Sequence, residues 1–187
     1  MVPVSFVLFA RAATGSYASA SLVLAALTAG SLALSPRRGR MVDRLGASRA
    51  VLVLLAPGIA TDIAFILAGR AHLTPILLIA VAAVSGAMAV PTGTVARSVW
   101  ASLLPDTSLR RTGFALMSVL VEIMFFIGPL LAGILIAAGS PTLAIAVSAG
   151  LNAVGSVAIA LAPAVRSMKP HPAPARTGRL GALAGAG

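Results

Sequence analysis

Cysteine is missing from this chain, and its 187 residues hold only four carboxylates and two histidines. The first absence excludes disulfides and thiolate metal sites. The second leaves little material for a catalytic acid–base pair. No phosphate-binding loop, nucleophile elbow or paired His–Glu metal motif occurs, so the chain does not read as an enzyme and implies no cofactor. Charge of either sign is scarce. Charged residues make up 10% of the chain, against roughly a quarter in a soluble domain. No alternation of period two is present, which argues against a membrane barrel. The first nine residues carry no basic start of the kind a cleavable secretory signal needs.

What the chain does have is apolar residues in long runs. They supply 59% of the sequence, and the mean hydropathy is +1.03. A helix needs about 20 mostly apolar residues to cross the hydrocarbon. Five runs meet that length, at residues 16–36, 50–68, 75–96, 113–138 and 142–163. A shorter run, residues 1–10, is cut off by Arg11 and reads as the back end of a helix whose front is missing. The predicted fold is an all-α, polytopic transmembrane bundle of five full spans plus a partial first helix, over residues 1–163. Residues 164–187, rich in Pro, Ala, Gly and basic side chains, read as a disordered basic linker.

The basic residues fall between the runs and not along them. Arg37, Arg38, Arg40, Arg44 and Arg49 lie between the second and third runs. Arg97, Arg110 and Arg111 lie between the fourth and fifth, and Arg166, Lys169, Arg176 and Arg179 in the tail. All twelve face one side, against Arg11 and Arg70 on the other. Cationic connectors stay on the cytoplasmic side of an inner membrane, so the basic segments and the tail are placed there. The same confinement explains the net charge of +10 without nucleic acid as a partner.

Within the basic segment the residues run Gly39-Arg40-Met41-Val42-Asp43-Arg44-Leu45-Gly46-Ala47-Ser48-Arg49. This pattern resembles the loop signature that joins the second and third helices of the major facilitator superfamily. Gly39, Asp43, Arg44, Gly46 and Arg49 carry the match, and Ser48 stands where a basic residue is usual. In the fifth run, Gly128-Pro129-Leu130-Leu131-Ala132-Gly133 is similar to the helix motif of that family's proton-coupled exporters. Ala132 replaces a glycine there, and Met124 stands where an earlier glycine is often found. The resemblance implies the amino-terminal half of a twelve-helix transporter that alternates access by rocking against its other half. The stretch from Arg179 to Leu183 resembles the linker before a seventh helix, so the chain reads as a truncated or partial form lacking its carboxy-terminal half.

The resemblance also implies roles. Asp43, among Arg40, Arg44 and Arg49, would belong to a gating loop that latches the halves, with Arg97 as a candidate partner; the bland alternative is a solvated loop that only sets orientation. Gly128, Pro129 and Gly133 would bend the fifth helix. From position alone, Glu122 lies roughly 13 Å into the fifth run, near the bilayer midplane, where a charge costs at least about 2.5 kcal/mol. It is the first candidate for proton coupling, Asp62 in the outer part of the third run the second. Their alternatives are, for Glu122, a neutral or paired glutamate that hydrogen-bonds a neighbouring helix and, for Asp62, a polar residue near the outer interface or facing the pore wall. The function expected is proton-coupled efflux of a small organic solute. The rival is a membrane assembly protein that transports nothing. The expected partners are the lipid bilayer, protons, a small-molecule substrate and the missing half.

Overall fold

The computed structural model describes residues 2–104 and 107–166. Every regular element among them is a helix: α1 (Val2–Thr14), α2 (Tyr17–Leu45), α3 (Ala47–Arg70), α4 (Pro75–Met88), α5 (Thr92–Leu103), α6 (Thr107–Ala137), α7 (Pro141–Leu161) and the short α8 (Pro163–Arg166). The linker expected over residues 164–187 lies outside the described residues from 167 onward; residues 164–166 complete α8.

Local chemistry sets most of the ends. Gly15 turns at φ 69° after α1, and the Ser16 hydroxyl then caps α2 by accepting from the Ser19 amide at 3.3 Å. Gly139, at φ 85°, ends α6. Ser140 caps α7 through the Leu143 amide at 3.1 Å, and Pro141 takes the first helical position, where its missing N–H costs nothing. The basic segment differs from expectation. It is not a loop: α2 runs unbroken through Arg37–Leu45 and reaches α3 across the single residue Gly46. Hydropathy reports depth in the membrane and not backbone conformation. Arg, Met and Leu are good helix formers, and the single Gly39 costs only about 1 kcal/mol, so the helix continues to Gly46. The fourth span differs in the opposite sense, because residues 89–91 interrupt it between α4 and α5.

Among the described residues, five spans are long and apolar enough to cross a membrane: Tyr17–Leu45, Ala47–Arg70, Pro75–Ala101, Ser108–Ala137 and Pro141–Leu161. Only 11% to 28% of each apolar window is buried within the chain. The remaining apolar surface has no soluble environment to sit in, which is what lipid-facing helices require.

Two apolar clusters hold the bundle. One stacks Phe6 on Phe65 with ring centroids 4.4 Å apart and gathers Phe9, Val23, Leu78 and Ile145 around them. The other joins Ala47, Val51, Val95, Ala160 and Val165 near the arginine-rich end. Small residues bring α2 and α4 together. A Cβ on Gly30 would overlap the Ala83 carbonyl oxygen, and one on Gly86 would overlap that of Leu27. Such close approach is how membrane helices gain packing without a hydrophobic driving force. A buried pair of hydroxyls, Ser5 and Ser148, ties α1 to α7 at 2.7 Å.

Candidate functional site

A cavity of about 300 Å³ opens among α1, α2, α3, α4 and α7. Its walls are apolar except for Thr28, Ser31, Asp62, Ser85 and Asn152. Among the described residues, Asp62 is therefore the one charged residue lining it. The Ser85 hydroxyl, itself buried, donates to Asp62 Oδ1 at 2.6 Å. That bond occupies one oxygen of the carboxylate and fixes its direction. Among the described residues, the other oxygen has no hydrogen-bond partner. A mostly greasy chamber with one oriented polar group is the usual anatomy of a small-molecule site. Asp62 and Ser85 are 23 residues apart on different helices, so their pairing is a product of the packing.

One wall of this cavity is the break in the fourth span. Met88, Ala89 and Val90 line it. Pro91 has no amide hydrogen to donate, and the chain resumes as a helix only at Thr92. Irregular backbone at membrane depth persists where it lines a cavity and its carbonyls are satisfied by other groups. Here Arg38 does so. Its guanidinium donates to the carbonyl oxygens of Gly86, at 3.3 Å, and Ala89. It also donates to the Ser31 carbonyl and to the Ser31 hydroxyl at 3.1 Å. Arg38 is only 8% exposed. By position in the sequence alone, Arg38 is one more topogenic charge. The available signal was its spacing: Ser31 lies seven residues back, on the same face of the helix, in the direction an α-helical side chain points.

The other sequence-predicted residues fall elsewhere. Glu122 is on the open face of α6 and lines a separate cleft of about 400 Å³ together with Arg97. Glu122 and Asp62 are thus not brought into one site. Gly39, Asp43 and Arg44 lie on the end of α2, with Asp43 and Arg44 exposed; Arg49 is exposed on α3. Among the described residues, Asp43 and Arg97 form no ion pair with each other. Ser48, at the position where the loop motif departs from its usual basic residue, donates to the Ala160 carbonyl at 2.7 Å. It thereby satisfies one of the end carbonyls of α7. Gly128 is buried, and Pro129 sits inside the continuous helix α6.

The family model of the Major Facilitator Superfamily matches residues 1–185. The chain belongs to the Major Facilitator Superfamily. It is therefore a multi-pass membrane transporter of that kind, and its helices correspond to an amino-terminal half of the family's fold. Neither a curated protein nor a solved structure matches the chain. Within this half, the cavity beside Asp62 lies among five helices, while Glu122 and Arg97 line a different cleft.

Proposed function

We propose that the chain is the amino-terminal half of a proton-coupled exporter of small organic solutes, seated in the inner membrane with its arginine-rich end in the cytoplasm. It would work by alternating access against a second six-helix half. The observation that carries this reading is the Asp62 carboxylate held by Ser85 at 2.6 Å on the wall of an otherwise apolar cavity. With one oxygen engaged by Ser85, the carboxylate has one face left for either a proton or a cationic group. Competition at a single carboxylate produces exchange: a proton entering releases the cation, and a cation entering releases the proton. The apolar walls fit the hydrocarbon part of such a solute. Glu122, beside Arg97 in its own cleft, is the second protonatable group of the proposal. The positive-inside bias supports the orientation.

The test uses the form that carries both halves, reconstituted in proteoliposomes, with ethidium as a planar organic cation. Asp62→Asn keeps the shape and the hydrogen bond but cannot exchange a proton. We expect flux driven by a pH gradient to be lost, and ethidium movement down its own gradient to slow as well, because the carboxylate that pairs with the cation is gone. If Asp62→Asn transports normally and Glu122→Gln does not, coupling belongs to the α6 cleft. Full gradient-driven flux in both variants would remove the proton-coupled reading altogether.

A further inference from the structure

The contacts of Arg38 point to a device that neither the family motif nor the cavity chemistry assigns. We infer that Arg38 is a positioning residue that clamps the break in the fourth span to the second helix, and so fixes one wall of the Asp62 cavity. The argument begins with the backbone. A helix that stops at Met88 leaves its last carbonyls without helical donors. The Ala89 amide returns to the Gly86 carbonyl at 3.2 Å, and Pro91 cannot donate at all. The Ala89 carbonyl then lies in the interruption itself. A planar guanidinium, always charged and carrying five donors in a rigid fork, can serve several carbonyls at once.

The geometry uses that fork in both directions. One terminal nitrogen serves Gly86 and Ala89, on the far side of the helix interface. The other serves Ser31 on the arginine's own helix, through both its carbonyl and its hydroxyl. Ser31, Gly86 and Ala89 all line the Asp62 cavity. Among the described residues, the buried Nε of Arg38 has no partner, so the hydrogen bonds of the guanidinium run through its two terminal nitrogens. One residue later in the chain, Gly39 opens the arginine-rich motif. The same helix end therefore holds the motif and, through Arg38, the interruption in the fourth span.

The absence of cysteine makes the test clean. Spin labels placed by Ile76→Cys on α4 and Ser98→Cys on α5 flank the break, and both sites are exposed. A control pair, Leu22→Cys and Val154→Cys, joins α2 and α7 at exposed positions. Distances are measured by double electron–electron resonance on the 187-residue chain in lipid nanodiscs. With Arg38 present, both pairs should give single narrow distributions. In Arg38→Ala the pair across the break should broaden about twofold, as expected for a released hinge, with the control pair unchanged. Arg38→Lys, which keeps the charge but loses the fork, should broaden the same pair. An unchanged distance across the break in Arg38→Ala would overturn the assignment. Broadening of both pairs would also do so, because it would show general loss of packing. A narrow distribution in Arg38→Lys would show that charge alone suffices, and the clamp as described would fall.

Discussion

A methyl group added at Gly86 would run into the carbonyl oxygen of Leu27, whereas one added at Gly133 meets nothing within 4 Å. The two glycines look alike in the sequence, each in an apolar run near a proline. Backbone cannot rotate away from a new side chain, so Gly86→Ala should separate α2 from α4 and cost about 1–3 kcal/mol. Gly133→Ala should lose nothing and gain up to about 1 kcal/mol of helix propensity. Titration with sodium dodecyl sulfate, followed by helical circular dichroism, compares the two. Equal midpoints for both variants would show that the α2–α4 approach is not tight. Which small residues touch a neighbouring helix is set by the packing and not by the run of sequence around them. Asp62 shows the same limit. Its sequence position gave a polar group in the outer part of a span; its hydroxyl partner Ser85 and its cavity came only from bringing α3 against α4.

Between α2 and α3 the chain has one residue in which to turn, and Gly46 turns at φ 81° and ψ 155°. That region of backbone space is essentially reserved for glycine. The motif glycine thus has a local reason that needs no appeal to transport. Gly46→Ala should cost about 1–3 kcal/mol and lower the midpoint in the same detergent titration. An unaltered midpoint would mean that the turn relaxes freely. Five apolar runs became five spans, and their order was legible because lipid demands long uncharged stretches with satisfied backbone. The ends were less so. Helix α2 carries Pro36 within it and continues through nine more residues to Leu45, because arginines leaving the lipid do not have to leave the helix. In the fourth span the reverse holds: the apolar run is continuous but the helix is not. Pro91 was the local hint, and Arg38, distant in sequence, completes the break.

Across the whole molecule, the open face of α6 stands out: Phe125 and Phe126 are 75% and 77% exposed. Such a face needs lipid or a second bundle against it, in keeping with membership of a family of two-half transporters. The proposed orientation has a direct check. A membrane-impermeant maleimide applied to intact cells should label Leu73→Cys, between α3 and α4, and spare Arg49→Cys; inside-out vesicles should reverse the pattern. Labelling of Arg49→Cys from outside would invert the topology. What the amino-acid sequence determined by itself was the membrane class, the number and order of spans, and the family loop signature. Each of these depends on hydropathy or on neighbours along the chain. The tertiary structure alone decided that Asp62 faces a cavity with Ser85, that Glu122 lies apart with Arg97, and that Arg38 closes onto the broken span. Those contacts join helices far apart in sequence, and only the packing of the bundle sets which faces meet.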